Sequence, residues 1–300
     1  HLWAERYDRQ LVDIFDLQDE ITNKIVSALS IELLGAEAEH LSQRPTSSFE
    51  AYDLFLKGQR LQNQLTLQSL MQAEALYRQA IELDPRFARA HGALGVTLAR
   101  QYQIDFESSD AEHRIDQALK EVETAVSIDP ASPQAEWSLG FVRLVRREFE
   151  QAAEAVERAV VLSPSYADGW ALLSAINSNL GRGDQALRNI RKARSLNPRY
   201  TWNYPYNEGR AHYLIGDYEQ AVEQLLDALS RNQNAMFPRL YLAAAYIRLG
   251  RIDDAEWEVM QLETTNPGIS LSTLEQQMPL SQGPHRDHFL EDLAVAGLPQ

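Results

Sequence analysis

Five prolines recur along this chain, each directly after a polar residue that closes an amphipathic stretch. They are Pro85, Pro130, Pro164, Pro198 and Pro267, and their separations are 45, 34, 34 and 69 residues. The last interval equals two units near 34 residues with one proline missing. Proline cannot continue a helix, and recurrence near 34 residues is the signature of stacked helix-turn-helix units. The spacing therefore predicts an array of paired helices, which presents an extended surface to a partner.

Small residues seven positions apart stand before each proline position. Seven residues make nearly two helical turns, so both members lie on one face and let a neighbouring helix approach closely. A further small residue, twelve positions before the first member, is the predicted contact on the partner helix. The pairs are Ala73/Ala80, Ala118/Ala125, Ala152/Ala159, Ala186/Ala193 and Ala221/Ala228, with Ala255/Leu262 at these positions in the last repeat, and the partner positions are Gly140, Ser174, Gly209 and Ala243. Gly181, Gly216 and Gly250 are predicted to end the first helices of their repeats.

In these residues the sequence resembles the tetratricopeptide repeat, whose Trp-x-x-Leu-Gly start is visible from Trp170 to Ser174, with Ser in place of Gly. The resemblance implies an all-α fold, a right-handed superhelix (solenoid) of about six helix-turn-helix repeats with flanking helices. Eleven extra residues between Gly95 and Ala118, near residues 101–111, predict either a docking loop or a longer helix pair. The predicted array spans 49–267, with repeats at about 49–85, 86–130, 131–164, 165–198, 199–233 and 234–267.

The two flanks carry a second resemblance. The stretch from Leu2 to Ile21, the segment 51–58 and the closing residues 287–299 are similar to a bacterial family. Its members place a class III adenylate or guanylate cyclase domain, or a winged-helix DNA-binding domain, before a TolB-like domain and tetratricopeptide repeats. Residues 1–48 are thus predicted to be the end of a TolB-like domain plus a linking or capping helix, and residues 268–300 to be C-terminal capping helices. The stripe of that first helix would be Ile21, Ile25, Leu29 and Leu33.

Composition and the motifs present disfavour nucleic-acid binding, membrane spanning and catalysis as functions of this chain. With 43 acidic against 28 basic residues and a formal charge of −15, no nucleic-acid contact is expected. The longest apolar run, about seven residues from Tyr241 to Ile247, is too short to span a bilayer. The chain has no cysteine, which fits a cytoplasmic location. No catalytic motif is found, so we predict no catalytic residue, cofactor or metal site and a chain that is not itself an enzyme. The oligomeric state stays open.

The resemblance implies that the first helix of each repeat lines a concave groove. Aromatic and arginine side chains dominate interface hot spots, so a protein or peptide partner, held as a peptide or helix, is the predicted ligand; packing of these rings between repeats is the alternative. The chain is accordingly predicted to be a scaffold and regulatory segment of a larger bacterial signalling protein. The open alternatives are the C-terminal part of a class III cyclase, with its catalytic domain upstream, and the sensory segment of a winged-helix regulator. The candidate groove residues are Trp137, Phe141, Asn179, Trp202, Tyr206, Arg210, Tyr213, Phe237, Ile247 and Arg248.

Overall fold

The computed structural model describes residues 21, 24, 45–278 and 280–300, and all regular structure within them is α-helical. The predicted all-α class is therefore confirmed for this part of the chain. The predicted stripe residues Ile25, Leu29 and Leu33, with most of the segment 1–48, lie outside the described residues. From residue 45 onward the helices are α1 (Phe49–Gln62), α2 (Leu67–Leu83), α3 (Ala88–Ile104), α4 (Ala111–Ile128), α5 (Pro133–Val145), α6 (Phe149–Leu162), α7 (Ala167–Asn179), α8 (Gly183–Leu196), α9 (Asn203–Leu214), α10 (Tyr218–Arg231), α11 (Met236–Arg248), α12 (Ile252–Thr265), α13 (Leu271–Gln277) and α14 (Pro284–Val295).

The structure divides into two compact units. Among the described residues, the first unit contains those up to Val142 together with Val161–Pro164, and the second contains Arg143–Val160 and those from Ser165 to Gln300. In the first unit α1 packs on α2 and α3 on α4. In the second unit the pairs are α7 with α8, α9 with α10 and α11 with α12.

The small residues that the sequence singled out form the contacts between paired helices. Every member of the six pairs is fully buried. A Cβ added to Gly95 would lie 2.5 Å from Val122, and one added to Gly209 would lie 2.7 Å from Leu225. The Ser174 hydroxyl donates to the carbonyl of Ala186 at 2.8 Å. Helices this close leave no room for a larger side chain, because interiors are packed at crystal-like density.

The helices end where the recurring prolines and the turn glycines predict. α2, α4, α6, α8 and α12 each end two residues before one of the five prolines. α7 ends before Gly181, whose φ is +73°, and the next amide, that of Arg182, donates back to the Asn177 carbonyl at 2.8 Å. This left-handed turn satisfies carbonyls at the end of the helix. In the third repeat Arg147 adopts the same turn with φ +64°.

The extra residues of the second repeat lengthen both of its helices. α3 has 17 residues and α4 has 18, whereas α7 and α8 have 13 and 14. Only residues 105–110 connect the longer pair, so the structure selects the longer helix pair over the docking loop. Ile104 and Phe106 remain 48% and 38% exposed at its tip.

The C-terminal residues belong to the core of the second unit. Phe289, Leu293, Ala296 and Leu298 are buried in one cluster with side chains of α9 to α12. The amide of Leu271 donates to the carbonyl of Pro299 at 2.7 Å, which ties the start of α13 to the end of the chain. α14 packs against α11, the first helix of the sixth repeat.

Candidate partner-binding surface

In the first unit, two candidate residues on α5 lie against each other. The rings of Trp137 and Phe141 stack with centroids 5.6 Å apart and 10° between their planes. The guanidinium carbon of Arg100, on α3, lies 5.3 Å from the centroid of the Phe141 ring. All three side chains are half-buried. Burial lowers the pKa of Arg100 from its ordinary value. The geometry is that of a cation–π contact joining two first helices.

In the second unit, three candidate residues form a row that we call the aromatic strip: Trp202, Tyr206 and Phe237. Ring centroids are 6.0 Å apart between Trp202 and Tyr206 and 6.4 Å apart between Tyr206 and Phe237. All three rings are half-buried, and burial raises the pKa of Tyr206 to about 12. The strip runs from the start of α9 to the start of α11. It offers apolar ring surface with polar edges, which suits an amphipathic ligand.

Arg210 lies beneath the strip rather than on it. Its side chain is buried, with 5% of the residue exposed. Its Nε donates to the Tyr241 hydroxyl at 3.1 Å, and an Nη donates to the side-chain oxygen of Asn179. Its guanidinium carbon lies 5.5 Å from the Tyr241 ring centroid. Within the described residues it has no carboxylate at ion-pair distance, so neutral acceptors and ring faces balance a buried charge.

Tyr213 and Arg248 both contact the last helix. The Tyr213 hydroxyl donates to the Asp292 carboxylate, and the Arg248 Nε donates to the same oxygen at 2.7 Å. Burial, followed by the hydrogen bond to Asp292, raises the pKa of Tyr213. The Asp292 bond raises the pKa of Arg248 as well. Asp292 is only 5% exposed, so its charge is buried but paired and hydrogen-bonded.

Asn179, the last residue of α7, meets the residues just before and within α14. Its backbone carbonyl accepts from the Ser281 amide at 3.0 Å and from the Ser281 hydroxyl at 2.8 Å. The imidazole Nε2 of His285 lies 3.1 Å from the same oxygen. Carbonyls at a helix C-terminus lack partners inside the helix and carry partial negative charge. The C-terminal residues therefore supply donors that α7 needs.

The tenth candidate, Ile247, is half-buried and packs against the core of the second unit. The structure thus gathers Trp202, Tyr206 and Phe237 in one place and Asn179, Tyr213 and Arg248 in another. Sequence reasoning did not select four residues that complete the second group: Tyr241, His285, Phe289 and Asp292. A usable signal existed, since His285, Phe289 and Asp292 follow the i, i+4, i+7 spacing of one helix face.

Two further features concern only the residues that the structure describes. There, no group of three or more histidine, aspartate or glutamate side chains could hold a metal ion. Nor does this part contain a helix with the length and hydropathy needed to cross a membrane.

The paired helices, their small contact residues and the glycine turns define an all-α helical repeat protein. A family profile described as the tetratricopeptide repeat matches residues 60–103, 107–167 and 206–267, which together exceed half of the chain. The chain belongs to the tetratricopeptide repeat family. A solved structure of pilF from Pseudomonas aeruginosa has the same fold. It superposes with a TM-score of 0.55 at 20% identity, and the match covers 76% of this chain and 96% of that one.

Two curated relatives are similar to part of this chain. A putative adenylate cyclase 3 of Rhizobium meliloti (strain 1021) is 34% identical over 155 residues, which is 52% of this chain and 26% of the relative. The transcriptional regulator HilA of Salmonella typhimurium is 26% identical over 183 residues, which is 59% of this chain and 32% of the relative. The chain thus spans about a third or less of the length of each of these relatives.

Proposed function

We propose that this chain is a protein–protein interaction module whose first-helix face in repeats four to six binds a peptide or helix of a partner. Tetratricopeptide arrays are scaffolds for protein or peptide partners. The observation that supports the finer proposal is the aromatic strip. Trp202, Tyr206 and Phe237 are half-buried and lie in one row, whereas Tyr213, Tyr241, Tyr246 and Phe289 are buried in the core of the second unit.

The proposed setting is regulatory, within a larger bacterial signalling protein. The two curated relatives support it, because one is named for a cyclase and the other for transcriptional regulation, and the match covers only 26% and 32% of their lengths. In this proposal the output activity resides in another part of the parent protein. The chain itself would bind a protein partner without nucleic-acid contact and work in the cytoplasm. Its formal charge of −15 supports the first point.

The test is quantitative affinity capture from the native cytoplasm with the full 300-residue chain. Trp202→Ala, alone and together with Phe237→Leu, removes ring surface from the strip. The matched control is Trp257→Ala, because Trp257 is 55% exposed on α12, a second helix. An aromatic hot spot contributes about 2 kcal/mol or more, equivalent to roughly thirtyfold in affinity. Strip variants should therefore lose the captured protein and the control should keep it, with helical circular dichroism unchanged in all.

Equal capture by the strip and control variants would exclude the strip as the binding surface. A complementary measurement replaces Trp202 or Trp257 by a photoreactive aromatic residue. Crosslinks to the captured protein should then form from position 202 and not from position 257. Incubating the purified chain with ATP or GTP and Mg²⁺ or Mn²⁺ tests the alternative that this segment carries cyclase activity; formation of a cyclic nucleotide would contradict the proposal.

A further inference from the structure

The last helix crosses the first-helix face in the manner of a bound ligand. Starting from Ser281, the C-terminal segment (residues 281–298) contacts the end of α7 through Asn179, α9 through Tyr213 and α11 through Tyr241 and Arg248. The contacting side chains of α14, His285, Phe289 and Asp292, share one helix face. These contacts join residues up to 106 positions apart in sequence. Three successive repeats are thus bridged by a single helix.

The contacts combine the packing of a buried aromatic ring with hydrogen bonds on either side of it. Phe289 packs against both Tyr241 and Tyr213, at ring-centroid distances of 4.2 and 5.9 Å. His285, seven residues before Asp292, donates a hydrogen bond from Nε2 to the Asn179 carbonyl. Asp292 in turn is held by Tyr213 and Arg248. A buried aromatic anchor flanked by a carboxylate bound to Arg is the arrangement found in the centres of binding interfaces.

We propose that the C-terminal segment is a displaceable internal ligand that competes with the partner for the first-helix face of repeats four to six. The partner's segment is then a helix with a hydrogen-bond donor, an aromatic residue four positions on, and a carboxylate three positions after that. This inference rests on the proposed function, since it names the chemistry of the partner and the regulation of the same face. Binding of an amphipathic helix in a groove is a common mode of peptide recognition.

Local charge supports an acidic partner helix despite the net charge of the chain. Arg248 is exposed at the edge of the contact, and among the described residues only Asp292, from the segment itself, forms an ion pair with it. Arg210, close by, has no carboxylate partner among the described residues and lowers the pKa of His285, after the larger effect of burial. When the segment leaves, the face keeps two guanidinium groups. A carboxylate from another protein would restore the lost ion pair.

Tethering explains why such a ligand can be weak and still occupy its site. A segment joined by a short connection is present at an effective concentration of about 1 mM, so even modest intrinsic affinity fills the site. A partner with a better helix, or an event that weakens α14, shifts the equilibrium. Because the segment also buries Leu293 and Leu298, its release would expose apolar surface that the partner helix covers.

The experiment measures binding in trans of a fluorescent peptide with the sequence of residues 280–298. The full chain carries Asp292→Asn, which keeps the shape of the side chain but removes the charge that Arg248 holds. A second variant combines Asp292→Asn with Phe289→Ala. Controls on the exposed side of the same helix are Asp287→Asn and His288→Ala. Circular dichroism verifies that each protein is folded, and fluorescence anisotropy gives the dissociation constants.

We expect the peptide to bind the Asp292→Asn chain at least tenfold more tightly than the wild-type chain, and the double variant more tightly still. Both control variants should match the wild type. A peptide that itself carries Phe289→Ala and Asp292→Asn should bind none of them. If the variants bind the peptide no better than wild type, or if the altered peptide binds as well as the native one, the segment is a structural cap and the proposal is wrong.

The outcome is separable from that of the proposed function. Failure of the peptide experiment, with capture still lost in the Trp202→Ala variant, would overturn only the internal ligand and leave the binding surface standing. If Trp202→Ala leaves capture unchanged while the Asp292→Asn chain binds the peptide tightly, the aromatic strip is rejected as the binding surface and the C-terminal segment remains supported as a displaceable ligand.

Discussion

Phe289 lies flat on Tyr241, with ring centroids 4.2 Å apart and 22° between the ring planes. Both residues are 1% exposed, although α12 and α13 separate their helices in the sequence. Tyr213 meets both rings edge-on, at 5.5 and 5.9 Å. This stack buries aromatic surface between α14 and α11, and such burial makes a large contribution to packing free energy.

Truncating Phe289 should release α14. Phe289→Ala removes buried ring surface and leaves a cavity, at a cost of about 3–5 kcal/mol where the surroundings stay packed. Since this cost falls on the docking of α14, amide hydrogen exchange in residues 285–295 should accelerate at least roughly a hundredfold. His288→Ala, on the exposed side of α14, should leave exchange unchanged. Equal protection in both variants would mean that the stack contributes little.

Much of the repeat fold could be predicted from local sequence. The paired small residues, such as Ala186 and Ala193, work because helix contact depends on side-chain size at a fixed spacing, which periodicity records directly. The turn glycines are equally local. Arg147 was not predicted, because a left-handed turn is usually marked by glycine and here an arginine adopts it. The lengths of α3 and α4 also required the structure, since inserted residues can form a loop or helix.

The candidate site shows where sequence reasoning stops. Repeat position placed Asn179, Tyr213 and Arg248 on the first helices, but it could not reveal that Ser281, His285 and Asp292 cover them. That pairing joins segments as much as 106 residues apart, and no local period encodes it. Arg210 was likewise chosen as an orienting charge. The structure shows that it is buried and donates to the Tyr241 hydroxyl, and its orienting role stays a prediction.

Gly95→Ala should destabilise the first unit even though alanine is the better helix former. An added Cβ would lie 2.5 Å from Val122 and 2.8 Å from the Ala118 carbonyl. Overpacking of this kind costs about 1–3 kcal/mol, which outweighs a gain in helix propensity of up to about 1 kcal/mol. Urea unfolding measures the difference. In a Val122→Ala background the same Gly95→Ala change should cost less, because the side chain that clashes with the new Cβ is shorter. If Gly95→Ala costs the same in both backgrounds, the clash with Val122 is not what destabilises the variant.

The His91–Glu121 pair should make stability depend on pH. His91 Nδ1 lies 2.6 Å from the Glu121 carboxylate and Nε2 lies 3.1 Å from the Pro85 carbonyl, so both nitrogens face acceptors. Burial lowers the pKa of His91, but the hydrogen bonds and the nearby carboxylates outweigh it and raise the pKa overall. Protonated His91 therefore stabilises the folded state. This contribution to the free energy of unfolding is fully present below the unfolded-state pKa of about 6.5 and is lost as the pH rises through the folded-state pKa.

Glu121→Gln is the variant that tests this pH dependence. We expect it to cost about 1.5–3 kcal/mol at pH 5.5, as for a hydrogen bond to a charged group, and clearly less at pH 8.5. Chemical unfolding at the two pH values gives both free energies, with Glu112→Gln at an exposed position of the same helix as the control. A cost that stays constant with pH would show that His91 is neutral in the folded protein.

Two turn glycines form a matched pair that reports on the C-terminal segment. Gly181 and Gly216 have φ of +73° and +83°, so alanine at either position incurs the same left-handed strain, about 1–2 kcal/mol. A Cβ at Gly216 meets nothing within 4 Å, whereas one at Gly181 would lie 2.7 Å from the imidazole of His285. Gly181→Ala must therefore displace His285 and weaken its hydrogen bond to Asn179. We expect Gly181→Ala to cost about 1 kcal/mol more than Gly216→Ala in urea unfolding and to be the one of the two that accelerates amide exchange in α14. Equal costs with unchanged exchange would mean that His285 moves aside freely and does not help to hold the segment on α7.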